Sequence, residues 1–152
     1  MLRMPLHYEG SFEVPAPKER VYGFLTDPRQ VSGIIPDLEG LEPVDENNFR
    51  VKAKVGISFI KGSMSFMFTF LERRPPSYAK LKGRGTGLGS SVDLEMAFTL
   101  EDRQGGGTLI RWSADANVGG LIAGVGSRLL DSAAERYIKQ VTNGLQEKLR
   151  SI

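Results

Sequence analysis

A chain of 152 residues with 40% hydrophobic content is long enough for one core, so we predict a single domain, 1–152. Its formal charge of +2 lacks the strong excess of a dedicated nucleic-acid binder, and no apolar run reaches the roughly 18 residues of a membrane span. The complete absence of cysteine excludes disulfides, thiolate nucleophiles and cysteine-ligated metals. It fits a reducing compartment, and because the stretch before the first predicted strand is too short for a secretory signal, we expect a cytoplasmic protein.

Alternating apolar and polar residues predict seven strands. The first covers residues 6–14, and the other six are expected at about 38–45, 48–55, 61–73, 78–87, 90–101 and 108–118. The turns between the later strands are short, which favours antiparallel pairing of successive strands. Because only one side of each strand is apolar, the sheet is expected to have one dry face and one wet face.

Three helices complete the pattern. Two short ones are predicted after the first strand, at residues 18–26 and within 28–37. A much longer helix is predicted from Gly120 to Arg150, where apolar residues recur every three or four positions. At roughly 45 Å it needs a large partner surface. We therefore predict an α+β fold in which a strongly curved, seven-stranded antiparallel sheet grips the C-terminal helix.

Small residues at inward positions are the main functional signal. Gly83, Gly85 and Gly87 fall on the inward side of one strand, and Ala114 and Ala116 on that of another. Because protein interiors pack densely, these residues indicate either an apolar cavity or a close approach of backbone where the sheet bends. Both interpretations stay open. For a cavity, the predicted ligand contacts are Phe66, Phe68, Leu81, Gly83, Gly85, Met96, Phe98, Trp112, Ala114, Ile122, Val125 and Leu129.

Polar residues suited to catalysis are weakly represented. His7, the only histidine, faces outward and has no second histidine or cysteine with which to share a metal. The acidic residues of the last two strands also face outward, where cross-strand pairing with basic residues is the simpler interpretation: Asp93, Glu95, Glu101 and Asp115. The glycine-rich segment 83–89 lies on a strand and opens no helix, so it is not a dinucleotide loop. We predict no catalytic residue, no metal and no cofactor.

Two surface features have functional interpretations. Outward basic residues on two predicted strands flank outward Met67 and Leu71, which would suit a partner protein or an anionic membrane, or form an ordinary solvated face: Arg50, Lys52, Lys54, Lys80, Lys82 and Arg84. The loop at residues 34–41 is too apolar for a plain loop, and we expect it to close one end of the cavity.

Short motifs along most of the chain, in the same order as the predicted elements, carry a family resemblance. They are Tyr8-Glu9-Gly10-Ser11-Phe12-Glu13-Val14, Val21-Tyr22-Gly23-Phe24-Leu25-Thr26-Asp27-Pro28, Ile35-Pro36-Asp37-Leu38, Gly107-Thr108-Leu109 and Val118-Gly119-Gly120-Leu121-Ile122-Ala123. With these motifs the chain resembles the CoxG family, named for the CoxG subunit of carbon monoxide dehydrogenase, within the START-like, helix-grip (SRPBCC) superfamily. Asp37 departs from the glycine that the family favours after Ile-Pro. The chain also stops with the helix, where many CoxG-like proteins continue into an apolar tail.

The resemblance implies a cavity that holds a lipophilic, lipid- or quinone-like small molecule. It also implies an accessory role beside a molybdenum hydroxylase of the carbon monoxide dehydrogenase type, with that redox enzyme as partner and peripheral contact at the inner face of the membrane. Our main hypothesis is a non-catalytic carrier. One alternative is a cyclase- or hydrolase-like enzyme of the same superfamily, which requires a convergent polar pair in the cavity. The other is an assembly factor that acts through its surface and has no pocket.

Overall fold

The structure is a computed structural model that describes residues 3–150. Seven antiparallel strands form one sheet in the order β1-β7-β6-β5-β4-β3-β2. The strands are β1 (Arg3–Val14), β2 (Leu38–Pro43), β3 (Asn48–Ile57), β4 (Ile60–Arg74), β5 (Tyr78–Gly87), β6 (Ser90–Asp102) and β7 (Thr108–Gly120). All seven predicted strands are present, and the α+β prediction is confirmed.

The two short helices follow β1, as predicted. They are α1 (Lys18–Leu25) and α2 (Pro28–Val31), and α2 continues into a single 3₁₀ turn at Ser32–Ile34. Asp27 caps α2, since its carboxylate accepts a hydrogen bond of 3.0 Å from the backbone N–H of Arg29. The loop that follows α2 leads into β2, the edge strand of the sheet.

The long helix α3 runs over Ser127–Lys148, so the predicted start at Gly120 was wrong. β7 continues as far as Gly120, which pairs with Ser90 of β6, and a 3₁₀ turn at Ile122–Val125 separates the strand from the helix. Gly120 and Gly126 have φ angles of 83° and 92°, which no α-helix contains. The observed helix is therefore about 33 Å long rather than 45 Å. Ser151 and Ile152 lie outside the described residues.

α3 packs against the inward face of the sheet at both of its ends. Near its C-terminal end, Leu145 and Leu149 join a buried cluster with Leu100 and Ile110 of the sheet. Near its N-terminal end, Leu130 joins a second cluster, whose sheet residues include Met64 and Val118. The helix is thus held at two places along the sheet, and the site described below lies between them.

No helix in the described part of the chain is long and apolar enough to cross a membrane.

Candidate functional site

An apolar cavity, here called the main chamber, lies between the middle of the sheet and α3, with a volume of about 480 Å³. Its wall is almost entirely aliphatic and aromatic, and its few polar side chains include Tyr8, Lys54 and Tyr137. The sheet residues of the wall include Leu6, Val51, Ala53, Val55, Ile57, Met64, Phe66, Phe68, Leu81, Val92, Leu94, Met96, Ala114, Ala116 and Val118. The helix supplies Leu130, Ala133, Ala134, Tyr137 and Val141.

A smaller cavity of about 280 Å³ adjoins the main chamber on the side of α1. The two cavities have several wall residues in common, among them Phe49, Leu81, Met96, Ala114 and Val141. Trp112, the only tryptophan of the chain, lines the smaller one. A probe in the main chamber would therefore lie close enough to affect the fluorescence of Trp112.

Burial along β7 shows why the main chamber exists. Ile110 and Val118, near the ends of the strand, are buried, with 2% and 4% of their surface exposed. Ala114 and Ala116, between them on the same inward face, are only partly buried. Opposite them, α3 presents Ala133 and Ala134, so short side chains face each other across the gap. Short side chains on both walls leave space that a well-packed interior would fill.

The glycines of β5 have a different role from these alanines. Gly85 pairs directly with Phe66 of β4, and Gly83 with Phe68. A Cβ added at Gly83 would lie 2.6 Å from the ring of Phe68, and one at Gly85 would overlap the ring of Phe66. The phenyl rings therefore lie flat over the glycines, an arrangement that stabilises glycine within a sheet. Gly83 and Gly85 do not reach the wall, so their predicted ligand contacts are corrected: close approach applies at the glycines and open space at the alanines.

The structure divides the other predicted ligand contacts into three groups. The main chamber is lined by Phe66, Phe68, Leu81, Met96, Ala114 and Ile122. The smaller cavity is lined by Phe98 and Trp112, together with Leu81, Met96 and Ala114. Val125 and Leu129 line neither. Val125 packs beside the N-terminal cluster, and Leu129 is 44% exposed, because Leu130 is the residue that α3 turns inward.

Two tyrosines on the wall were missed as site residues. The Tyr8 hydroxyl donates a hydrogen bond of 2.7 Å to Oδ1 of Asp131, which ties β1 to α3. Burial, and then this carboxylate, raise the pKa of Tyr8, so its phenol stays protonated. Both tyrosines could have been found from the sequence, because Tyr8 has inward parity on β1 and Tyr137 lies on the apolar stripe of α3.

Tyr137 has an unused donor. Its hydroxyl oxygen accepts a hydrogen bond of 3.2 Å from the backbone N–H of Gly56. Within residues 3–150, no acceptor is found for the proton of this hydroxyl. A tyrosine hydroxyl both donates and accepts, so Tyr137 can offer one hydrogen bond to a molecule in the main chamber.

The loop at residues 34–41 contributes Ile35 and Pro36 to the wall. Asp37, which follows them, has a φ of 54°, and its carbonyl accepts a hydrogen bond of 3.0 Å from the backbone N–H of Lys54. This bond ties the loop to β3. Lys54 itself is exposed and also contributes to the wall, so the loop and β3 lie side by side at the rim.

The outward face of the sheet carries charges in cross-strand pairs, as predicted. They are Arg84 with Asp93 at 2.6 Å, Lys80 with Glu95 at 2.7 Å, and Arg111 with Glu101. His7 is exposed, and its ring nitrogens lie 2.6 Å from Asp115 and 2.9 Å from Glu9. These contacts, Asp115 foremost, raise the pKa of His7. Among the described residues, no group of three histidine or acidic side chains could hold a metal ion.

A family model for CoxG, the CoxG subunit of carbon monoxide dehydrogenase, matches residues 10–150, which is nearly the whole chain. The chain belongs to the CoxG family. The resemblance drawn from the short motifs is thereby confirmed. No curated protein is similar enough in sequence to match this CoxG domain.

Solved structures resemble the CoxG domain over almost its full length. A conserved protein from Geobacillus kaustophilus is 27% identical, with a TM-score of 0.88 and 95% of each chain covered. A START superfamily protein from Mycobacterium smegmatis is 14% identical, with a TM-score of 0.70, covering 95% of this chain and 97% of that one. The Zhui aromatase/cyclase from Streptomyces sp. R1128 is 16% identical, with a TM-score of 0.73, covering 97% and 94%. These similarities show a START-like fold.

Proposed function

We propose that this CoxG domain is a carrier that binds one apolar small molecule in the main chamber without transforming it. The observation that carries the proposal is the band of inward side chains that stay partly exposed around an apolar space of about 480 Å³. Binding would remove their remaining apolar surface from water. A ligand that buries on the order of 300 Å² of such surface gains roughly 7 kcal/mol before the costs of association.

Tyr137 supports a ligand that carries an oxygen acceptor. Its free hydroxyl proton is a donor on a wall with almost no other polar group, so a carbonyl oxygen placed there would fix the orientation of an otherwise apolar molecule. A lipid- or quinone-like molecule meets both requirements. For a quinone, the family relationship supports an accessory role beside a carbon monoxide dehydrogenase-type enzyme, which would supply or receive the electrons.

A cyclase- or hydrolase-like activity is supported by one observation, the polar pair of Tyr8 and Asp131. The pair joins the sheet to the helix beside the main chamber, and a cyclase is among the proteins of similar fold. Its geometry favours a structural role, however. The Tyr8 proton is directed to Asp131, and the raised pKa makes tyrosinate a poor choice as a base near neutral pH. We therefore assign the pair to holding α3 on β1.

The experiment fills the main chamber from its wall. Ala116→Phe places a ring in the space, and Thr99→Phe, an outward and exposed position on β6, is the matched control. Quenching of Trp112 fluorescence reports binding of a short-chain quinone, and native mass spectrometry reports binding of palmitate and of any lipid that co-purifies. We expect one molecule per wild-type chain, at least about tenfold weaker binding to Ala116→Phe, and unchanged binding to Thr99→Phe.

Two results would contradict the carrier. One is a wild-type protein that purifies empty and binds neither probe. The other is an Ala116→Phe variant that binds as tightly as the wild type, because the ligand would then lie elsewhere. Turnover of a bound probe, lost in Tyr8→Phe, would favour the enzyme instead.

A further inference from the structure

Charge is distributed unevenly along the chain. Residues 49–92, which form β3, β4, β5 and the start of β6, contain nine of the 20 basic residues and only one of the 18 acidic residues, Glu72. The rest of the chain is net negative. Three of the nine are paired with acidic residues of neighbouring strands: Arg50 with Glu42, Lys80 with Glu95 and Arg84 with Asp93. A charge asymmetry of this kind indicates a surface that meets an anionic partner.

One end of the sheet also exposes large apolar side chains. Phe59, at the two-residue turn between β3 and β4, is 85% exposed. Leu121, directly after β7, is 64% exposed, and Leu129, in the first turn of α3, is 44% exposed. A hairpin turn does not require a phenylalanine that covers nothing, because turn positions favour small and polar residues.

Contacts place these three residues at the same end of the molecule. Leu88 lies between them: its side chain covers Gly62, next to the turn that carries Phe59. The β5–β6 turn then meets Leu121, whose backbone N–H donates a hydrogen bond of 3.1 Å to Gly89. The buried cluster beneath joins this end of the sheet to the start of α3, next to Leu129.

The segments that build this end carry basic residues and no acidic ones. Residues 54–64, 84–92 and 117–130 contain Lys54, Lys61, Arg84 and Arg128. Carboxylates approach from neighbouring strands, and those that reach this end already have partners: Glu39 accepts a hydrogen bond from Ser63, and Asp93 contacts Arg84 and Arg3. The exposed apolar side chains therefore stand among positive charges.

We propose that this end of the domain docks on an anionic lipid bilayer. Phe59, Leu121 and Leu129 enter the headgroup region, and Lys61 and Arg128, each within two residues of one of them, contact lipid phosphates. Apolar insertion combined with attraction to anionic lipid is how peripheral proteins bind at the interface. The inference concerns the surface of the molecule and does not depend on what the main chamber holds.

Two observations favour a bilayer over a protein as the occupant. The exposed apolar side chains come from separate turns and project singly, so they suit a fluid surface better than one rigid complementary site. The wall of the main chamber also reaches this end, since Ile57 lies two residues from Phe59 and Ile122 is next to Leu121. An apolar ligand exchanged with a bilayer would enter or leave close to the docked surface.

Flotation of the full chain with vesicles tests the proposal. One set of vesicles is phosphatidylcholine alone, and the other has equal parts of phosphatidylcholine and phosphatidylglycerol. Phe59→Ser removes the most exposed apolar side chain. Val44→Ser is the matched control, because Val44 is 49% exposed at the turn between β2 and β3, at the opposite end of the sheet. Lys61→Gln tests the charge.

We expect wild-type protein to float with the anionic vesicles and much less with the neutral ones. Phe59→Ser should bind the anionic vesicles about tenfold more weakly, and Val44→Ser should bind as the wild type does. Lys61→Gln should lower binding to anionic vesicles only. Quenching of Trp112 by a short-chain quinone in the absence of vesicles should be the same in all variants, which separates a failure of docking from a failure of the carrier function.

Three results would overturn the proposal: no binding of the wild type to anionic vesicles, equal losses in Phe59→Ser and Val44→Ser, or equal binding to both vesicle types. The first would assign this end of the domain to a protein partner instead.

Discussion

The inward face of the sheet has two regions that the same alternating pattern builds and that α3 fills differently. At the α1 end, Leu100 and Ile110 are each 2% exposed and pack with Leu145 and Leu149 of the helix. In the middle, inward residues such as Leu94 are only partly buried. Helix α1 adds a further layer over the packed region, through Val21 and Phe24, and nothing equivalent covers the middle.

The difference shows that alternation determines the direction of a side chain and not the depth of its burial. Depth depends on what the opposite element presents. α3 directs leucines at the packed region, and Ala133 and Ala134 at the main chamber. A helix with one apolar stripe can therefore close the core at its ends and leave space at its middle.

The largest expected effect tests this contrast on one strand. Leu100→Ala should lower the free energy of unfolding by about 2–5 kcal/mol, because it opens a cavity in a packed cluster. Leu94→Ala, at an inward position on the same strand, should cost about 1 kcal/mol or less, since the side chain already borders empty space. Urea denaturation measures both. Equal losses would show that the main chamber is collapsed in solution.

An intermediate effect concerns the polar point of the wall. Tyr137→Phe should weaken binding of a quinone by roughly five- to tenfold, since one hydrogen bond contributes about 1 kcal/mol. Binding of a hydrocarbon of similar size should be unchanged, and this ligand is the control for altered packing. Trp112 quenching measures the quinone, and its competitive release measures the hydrocarbon. Equal losses for both ligands would mean that Tyr137 acts only through its contact with Gly56.

The smallest effect lies on the outward face, away from both regions. The pKa of His7 should exceed its ordinary value of 6.5, because Asp115 and Glu9 accept hydrogen bonds from its ring. Since the folded-state pKa is raised, the contact stabilises the fold below pH 6.5, and the contribution is lost as pH rises through the folded pKa. A proton NMR titration of this single histidine measures the value. Asp115→Asn should move it toward 6.5, with ligand binding unchanged.

Much of the candidate site followed from parity on the strands. Phe66, Met96 and Ala114 were assigned to the inward face by alternation, and all three line the main chamber. The errors fell where the backbone leaves regular structure. Leu129 was placed on the wall because the helix was expected to begin at Gly120. The helix instead begins at Ser127, and Leu130 is the residue that points inward.

By itself, the sequence determined the seven strands, the short helices, the direction of most inward side chains and the CoxG family, because these depend on local periodicity and short motifs. Only the tertiary structure decided the meaning of the small residues. Gly83 and Gly85 are covered by phenyl rings from the neighbouring strand, whereas Ala114 and Ala116 face the alanines of α3. Whether a short side chain leaves space or accommodates a neighbour depends on its partner across the strands, and that pairing is set by contacts distant in sequence.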